Sequence, residues 1–313
     1  MLKQTNNDRL WSSRLAFSFA IVSASIGLGN LWRFPYVAGE NGGGAFILVY
    51  LGIILIVCIP LIMAELAMGR RGGGSPVTSL ANLIREGRQH RFWVAIGWLS
   101  ILTPLGALTF YAVVAGWSLD YIYHALQGTF FVISAPRAEA QFADLLASPG
   151  RLMFWHALYL AATVYVIGKG VKKGIERVTG FIMPALFGMI VLLVIYGCVE
   201  GAPGIAWRFM FYPDFSGLSW HSVLMALGQA LFSVTVGTGA LLTYGAYLSR
   251  DMGIVGPAWA IAISDTLAAL LAGMAIFSIV FASGLDPASG PGLMFETLPL
   301  ALGNMPGGHF FST

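Results

Sequence analysis

The stretch SFAIVSASIGLGNLWRFPYV, residues 18–37, decides the fold. It is long and apolar enough to cross a membrane, which takes about 20 residues, yet glycine and polar residues interrupt its middle. These residues are Ser23, Ser25, Gly27, Gly29 and Asn30. Glycine lowers helix propensity by about 1 kcal/mol, and serine offers the backbone other hydrogen-bond partners. The stretch therefore predicts a membrane helix that is broken near its midpoint. The alternative is an unbroken helix with a small-residue packing face.

The same pattern returns 210 residues later in the chain. SASIGLGN, residues 23–30, aligns with SVTVGTGA, residues 233–240, and both contain Gly-x-Gly after hydroxyl residues. The offset contains five predicted spans, so the second copy crosses the membrane in the opposite direction. This is the sequence pattern of an inverted repeat with one broken helix in each half. Unwound backbone at membrane depth is tolerated only in buried sites or cavity walls, so the two breaks predict a ligand site at the midplane.

Composition identifies the class of protein. Of 313 residues, 57% are hydrophobic and 10% are charged, with a mean hydropathy of +0.78. Soluble domains carry about 25% charged residues, so a water-soluble globule and a disordered chain are both excluded. Cys58 and Cys198 both lie in apolar runs and are too few for a disulfide framework. The chain is predicted to be an all-α polytopic membrane protein.

Seven apolar stretches are predicted to span the membrane: 13–37, 44–69, 92–126, 153–168, 175–199, 221–248 and 254–284. With these spans, 13 of the 17 basic residues fall on one side. The positive-inside rule then predicts a multi-pass protein of the plasma membrane with a cytoplasmic N-terminus. The arginines and lysines serve orientation in the lipid bilayer, and nothing in their pattern indicates a nucleic-acid partner.

Few ionisable side chains lie inside the spans, and each is a candidate for function. Asp265, in the middle of the seventh span, is predicted to be a cation ligand, with a structural hydrogen-bonding role as the alternative. Glu65 is predicted to brace unwound backbone rather than to contact a ligand. Arg33 lies just beyond the first break. Asp120, near the end of the third span, is predicted to be interfacial and without a special role.

Three motifs resemble the signature of the neurotransmitter:sodium symporter family. They are SIGLGNLWRFPYVAGENGGGAF (25–46), IPLIMAELAMGRRGG (59–73) and GQALFSVTVGTGALLTYGAYL (228–248). The resemblance covers essentially the whole chain. It implies a LeuT-type inverted-repeat fold, with the first and sixth of about seven helices broken, and sodium-coupled uptake by alternating access. Inverted repeats with broken helices are themselves described for this family, so the repeat and the resemblance are not independent.

The resemblance also implies a domain organisation. Residues 1–313 form a single transmembrane domain, in which 13–199 is the first five-helix repeat and 221–284 holds the first two helices of the second. Residues 285–313 are expected to be an extracellular loop and the start of a missing eighth helix, with a short helix in MFETLPLALGN. Because the family continues beyond this point, we expect the chain to be truncated after its seventh span.

The resemblance assigns ligand-binding residues. For the substrate they are Ser25, Gly27, Leu28, Gly29, Ala107, Tyr111, Phe232, Ser233, Thr235 and Thr238. For a first sodium ion they are Ser25, Asn30, Ser233 and Asp265, and for a second they are Ser23 and Ile26, whose partners lie in absent helices. Arg33 with Gln229, and Phe232 over Tyr111, are implied as the outer gate. From the sequence alone, Tyr111 could equally be a packing residue.

Single positions indicate the substrate class and the need for an anion. Monoamine carriers of this family have aspartate at the position of Gly27, and glycine there leaves room for an amino acid's own carboxylate. Small residues at Ala107 and Thr238 favour a hydrophobic or aromatic side chain. Chloride-dependent relatives carry asparagine where this chain has Asp265, so chloride is not expected to be required.

The sequence thus predicts a sodium-coupled importer of a hydrophobic or aromatic amino acid, not an enzyme. The alternatives are a membrane amino-acid sensor or binding subunit that does not transport, and an inactive fragment of a transporter. Sodium-dependent binding without flux would favour the sensor. The sequence does not determine the oligomeric state.

Overall fold

The computed structural model describes residues 14–249, 252–287 and 292–304, and all regular structure in those ranges is helical. The α-helices are α1 Arg14–Ser23, α2 Phe34–Glu40, α3 Gly44–Ile53, α4 Ile59–Gly72, α5 Pro76–Glu86, α6 Val94–Leu126, α7 Ala135–Leu146, α8 Pro149–Gly168, α9 Arg177–Glu200, α10 Pro203–Phe211, α11 Trp220–Ser233, α12 Ala240–Ala246, α13 Val255–Ala282 and α14 Leu298–Asn304. Short π-helical turns join α3 to α4 at Ile54–Cys58 and precede α9 at Val171–Glu176.

Within the described residues, five continuous helices are long and apolar enough to cross a membrane. They are Gly44–Gly72, Arg91–Leu126, Pro149–Gly168, Val171–Glu200 and Val255–Ala282. These helices match the second, third, fourth, fifth and seventh predicted spans, with ends that differ by up to four residues. The all-α polytopic fold class is confirmed.

The first predicted span is broken at its middle. Helix α1 ends at Ser23, and helical structure resumes with a π-helical turn at Gly29–Arg33 that leads into α2. The hydroxyls of Ser23 and Ser25 donate to carbonyls of the preceding turn, at 2.7 and 2.9 Å. These carbonyls also accept backbone N–H groups, so the serine hydroxyls satisfy their own hydrogen-bonding need within the last turn of α1.

The sixth predicted span is broken at the corresponding place, between α11 and α12. Here Thr235, Gly237 and Gly239 have φ values of 58°, 85° and 74°. Glycine adopts such values without strain, whereas Thr235 is a β-branched residue in a region that such residues rarely enter. In the first break, Gly29 allows close packing: a Cβ at this position would lie 3.1 Å from the ring of Phe232.

The two broken spans lie side by side and run in opposite directions, as the inverted repeat predicts. Asn30 Nδ2 donates to Ser233 Oγ at 3.0 Å, and Gln229 Nε2 donates to the carbonyl oxygen of Gly29 at 2.9 Å. Both breaks therefore lie at one level and contact each other.

Other helices approach closely where both present small residues, as is common in membranes. Helix α4 meets α12 with Gly69 against the carbonyl of Leu242 and Gly245 against that of Leu66. Helix α9 meets α13 with Gly197 against Ser278. These contacts fix the distance between helices without large side chains.

Two segments pack at the end of the bundle opposite the basic loops. The stretch 127–152, which lies between the third and fourth predicted spans, contains helix α7. The short helix predicted in MFETLPLALGN is confirmed as a π-helical turn at Leu293–Thr297 followed by α14. Residues 305–313, which the prediction assigned to the start of a further helix, lie outside the described residues.

The contact of Gly69 with Leu242 predicts a stability effect. Gly69→Ala places a methyl group on a backbone carbonyl oxygen, and overpacking of this kind costs about 1–3 kcal/mol. We expect a lower apparent melting temperature for the purified protein in detergent. Gly52→Ala is the matched control because its Cβ has no atom within 4 Å, and it should melt at or above the wild-type temperature. Equal melting temperatures for the two variants would contradict this packing.

Candidate functional site

A cluster of buried polar side chains lies where the two breaks face α13. Asp265 and Asn30 have no exposed surface, and Ser233 is 2% exposed. Asn30 Nδ2 donates to Asp265 Oδ1 at 2.8 Å, and Ser233 Oγ lies 3.0 and 2.8 Å from the two carboxylate oxygens. Tyr50 donates to Asp265 Oδ2 at 3.3 Å. Three residues predicted as first-sodium ligands are thus brought together.

The chemistry of this cluster fits a hard cation. An ionised carboxylate in an apolar interior is expensive unless a positive charge is near, and no lysine or arginine bonds to Asp265 within the described residues. Oxygen ligands of this kind suit sodium. Asn30 turns its Nδ2 towards the carboxylate, while its Oδ1 accepts from the N–H of Gly27 at 3.1 Å. Asn30 can therefore offer this oxygen to an ion beside Asp265 only by rotating its amide.

The predicted outer-gate residues contact one another. Arg33 Nη1 donates to Gln229 Oε1 at 2.6 Å, and its guanidinium carbon lies 5.2 Å from the ring centroid of Phe232. The ring of Phe232 lies 6.0 Å from that of Tyr111. The hydroxyl of Tyr111 faces the backbone of Gly29. Their role as a gate stays a prediction.

A cavity of about 190 Å³ adjoins these contacts. It is lined by Leu28, Gly29, Trp32, Arg33, Tyr36, Ala107, Phe110, Tyr111 and Phe232. Five predicted substrate residues are among them. Sequence reasoning missed Trp32, Tyr36 and Phe110, although Trp32 and Tyr36 stand four residues apart and so share one helix face. Trp32 stacks on Phe110 with the ring centroids 6.0 Å apart.

The other predicted substrate residues lie outside the lining of this cavity. Thr238 donates its hydroxyl to the carbonyl of Thr235 at 2.7 Å. Thr235 Oγ1 is buried and has no partner within the described residues. A Cβ on Gly27 would have open space around it. Ser25, Gly27, Ser233 and Thr235 therefore group around the breaks, at or beside the buried polar cluster of Asp265, and Ser23 and Ile26 lie at the start of the first break.

Glu65 bonds the backbone at the break in the sixth span, which confirms the bracing role predicted from the sequence. Its Oε1 accepts from the N–H of Gly237 at 2.6 Å, and the residue is buried. Its Oε2 is buried without a partner among the described residues. One carboxylate oxygen therefore satisfies a backbone group that the helix break leaves open.

The prediction that Asp120 has no special role is wrong, whereas its interfacial depth stays a prediction. The residue is 1% exposed, and Arg151 on α8 donates to both carboxylate oxygens, at 2.6 and 2.5 Å. Sequence reasoning placed Asp120 at a membrane boundary and did not foresee that Arg151, on the neighbouring helix, would cover it.

Comparison with known proteins decides the family. The family described as "Sodium:neurotransmitter symporter family" matches residues 8–135 and 136–313. The chain belongs to the sodium:neurotransmitter symporter family. It is 36% identical to the protein named "Uncharacterized sodium-dependent transporter YhdH" of Bacillus subtilis, over 96% of this chain and 66% of that protein. It is 27% identical to the human sodium-dependent neutral amino acid transporter SLC6A17, over 86% of this chain and 40% of that one.

A solved structure supports both family and fold. The crystal structure of MhsT in complex with L-phenylalanine matches with a TM-score of 0.89 and 40% identity, over 96% of this chain and 68% of that chain. The chain spans about two thirds of the length of YhdH and less of SLC6A17. These relatives are transporters rather than enzymes, and the chain is a multi-pass membrane protein.

The contact of Glu65 predicts how this position tolerates substitution. Glu65→Ala removes the acceptor of the Gly237 N–H, and a hydrogen bond of this kind contributes about 0.5–1.5 kcal/mol. Glu65→Gln keeps an acceptor oxygen, and the second carboxylate oxygen has no bond to lose. We expect a clear drop in melting temperature for Glu65→Ala and a small change for Glu65→Gln. A Gln variant as unstable as the Ala variant would show that the negative charge itself is required.

Proposed function

We propose that the protein is a sodium-coupled symporter that imports a hydrophobic or aromatic amino acid by alternating access. The observation that carries the proposal is the cluster of Asp265, Asn30 and Ser233, a buried carboxylate bonded by a serine hydroxyl and an asparagine amide where two broken helices meet. Family membership and the sodium-dependent relatives support the coupling ion. In this proposal the N-terminus is cytoplasmic and the protein lies in the plasma membrane.

Two sodium sites belong to the proposal. The first sodium ion is bound by Asp265, Ser233, the Oδ1 of Asn30 after its amide has rotated, and the carbonyl of Ser25. The second is bound by the carbonyls of Ser23 and Ile26, at the end of α1. Helix C-termini and unwound carbonyls concentrate negative partial charge, which suits both ions.

The substrate's charged groups lie between the breaks. Its carboxylate accepts from the backbone N–H groups of Leu28 and Gly29 and from the hydroxyl of Tyr111, because a helix N-terminus attracts anions. Its amine lies near the carbonyls of Ser25, Phe232 and Ser233. The unpaired hydroxyl of Thr235 supports this position, since a buried oxygen without a partner among the described residues is available to a ligand.

The side-chain pocket is broad and apolar. Ala107 and the rings of Phe110, Tyr111 and Phe232 line the cavity beside the first break, and Thr238 lies near the second. MhsT was solved in complex with L-phenylalanine, which supports a large hydrophobic or aromatic substrate here. Arg33, Gln229 and Phe232 close this pocket from outside and separate to admit the amino acid.

The open space beside Gly27 predicts selectivity for amino acids over amines. In vesicles containing the protein encoded by the complete reading frame, tryptophan, leucine and tyrosine should inhibit sodium-driven uptake of labelled tryptophan. Tryptamine should be about 100-fold weaker, because it lacks a carboxylate worth about 1.5–3 kcal/mol in charged hydrogen bonds. Gly27→Asp should improve inhibition by tryptamine and weaken that by tryptophan. Tryptamine as potent as tryptophan on the wild type would refute the proposed substrate class, and binding without accumulation would favour a sensor.

The carboxylate of Asp265 predicts transport without chloride. A negative charge within about 4–6 Å of sodium balances the ion, so replacing chloride by gluconate should leave the uptake rate unchanged. Asp265→Asn should abolish uptake or make it respond to added chloride. Asp144→Asn, which alters an exposed carboxylate on α7, is the control and should behave as wild type. Wild-type uptake that collapses in gluconate, or normal chloride-free uptake by Asp265→Asn, would rule out Asp265 as the counter-charge.

A further inference from the structure

A basic patch lies between α5 and α6, away from the proposed transport site. Residues 85–93 read REGRQHRFW. The patch consists of three exposed arginines, Arg85, Arg88 and Arg91. Glu86 is the only acidic residue in the sequence from 72 to 119, and Arg71 already bonds both of its carboxylate oxygens, at 3.1 and 2.7 Å. The three positive charges of the patch therefore have no carboxylate of their own in this stretch.

Arg88 has a backbone conformation that arginine rarely adopts. Its φ is 50°, which lies in the left-handed region. Helix α5 ends here in a Schellman motif, because the N–H of Gln89 donates to the carbonyl of Ile84 at 2.9 Å. The N–H of Arg88 donates to the carbonyl of Arg85 at 3.4 Å. Glycine is the usual residue at this left-handed position, since it enters the region without strain. The chain thus has an arginine where glycine would stabilise the fold.

Orientation in the bilayer does not account for an arginine at this position. The positive-inside rule depends on the number of basic residues near the ends of the spans, and any backbone conformation satisfies it. The preceding residue, Gly87, has an ordinary φ of −81°. Exchanging Gly87 and Arg88 would keep the same charge in the same loop and relieve the left-handed strain. A strained residue of this kind points to a functional contact.

The helix that carries the patch is packed tightly on two spans. A Cβ on Gly72 of α4 would lie 2.4 Å from the Cα of Ser79, and a Cβ on Gly97 of α6 would lie 2.8 Å from the Cα of Val77. Asn82 Nδ2 also donates to the carbonyl of Gly72 at 3.0 Å. The position of α5 relative to α4 and α6 is therefore fixed before any ligand binds, which lowers the entropy lost on binding.

The exposed surface becomes apolar directly after Arg91. Phe92 and Trp93 are 70% and 50% exposed, and their ring centroids lie 6.1 Å apart. Exposed apolar side chains then continue along α6. His90 Nδ1 accepts from the N–H of Phe92 at 3.1 Å and so holds the turn between the arginines and the rings. Aromatic side chains such as tryptophan are enriched where membrane meets water, so the patch is expected at the depth of the lipid headgroups.

We propose that Arg85, Arg88 and Arg91 bind the headgroup of an anionic phospholipid, with Phe92 and Trp93 placed against the upper part of its acyl chains. A guanidinium group pairs with two phosphate oxygens at once, and basic clusters beside a membrane helix attract anionic lipids. A zwitterionic headgroup carries a cation of its own, which the arginines repel. Binding at this patch requires neither sodium nor the transported substrate.

Titration of the purified protein with dioleoyl phosphatidylglycerol tests the patch, with bound lipid counted by native mass spectrometry. Dioleoyl phosphatidylcholine, which has the same acyl chains, should bind much more weakly. Arg88→Gln and Arg91→Gln should each raise the dissociation constant for phosphatidylglycerol about fivefold, the contribution of one basic residue near an anionic surface. The control Lys172→Gln with Lys173→Gln removes two exposed charges from another basic loop, and it should change the constant less than about twofold.

Arg88→Gly separates lipid binding from stability. Because glycine relieves the left-handed strain, this variant should melt above the wild type in detergent and still bind phosphatidylglycerol about fivefold more weakly. Unfolding cannot explain a loss of affinity that accompanies a gain in stability. Wild-type affinity in Arg88→Gly, a lower melting temperature for it, or an equal loss of affinity in the lysine control would overturn the proposal. Competition by soluble glycerol 3-phosphate at the concentration of the lipid would also overturn it, because the patch would then bind a free phosphate.

Discussion

The hydrogen bonds of Asn30 organise the centre of the molecule. One side chain bonds the first break to Ser233 of the second break and to Asp265 of α13, and its oxygen caps the N–H of Gly27. Three spans are thereby fixed at a single level inside an apolar bundle. In that environment every unpaired backbone group is expensive, so the breaks persist only because side chains such as Asn30 satisfy them.

Much of this architecture could be read from the sequence, for a physical reason. An apolar stretch of this length predicts a continuous membrane helix, whereas Gly-x-Gly with nearby hydroxyl residues disfavours one. The same pattern recurs at 233–240, which indicates two broken helices rather than a chance arrangement of residues. The conformations behind the two copies nevertheless differ. Gly237 and Gly239 adopt positive φ values, whereas Gly29 leaves room for the ring of Phe232. Sequence alone does not distinguish these two uses of glycine.

Pairings across long distances in the chain were harder to foresee. Asp120 was assigned to the interface because it lies near a span end, and its burial depends on where Arg151 packs. Trp32 and Phe110 belong to different spans, so their stacking follows from helix packing rather than from local pattern. Helix α7 was not predicted, although it buries Ala138 and Leu145 on one face and such periodicity marks a helix even in a polar stretch.

At each break, a side chain from the other half of the sequence bonds to the backbone. Gln229 in the second half adds a second hydrogen bond to the carbonyl of Gly29, 200 residues away, and Glu65 in the first half accepts from the N–H of Gly237, 172 residues away. A ribosome adds about 5–20 residues per second, so the first broken span waits about 10–40 s before its partner exists. During that interval it must remain close to water or to the insertion machinery. We therefore expect the first break to reach its final structure only after the second half of the chain has been inserted.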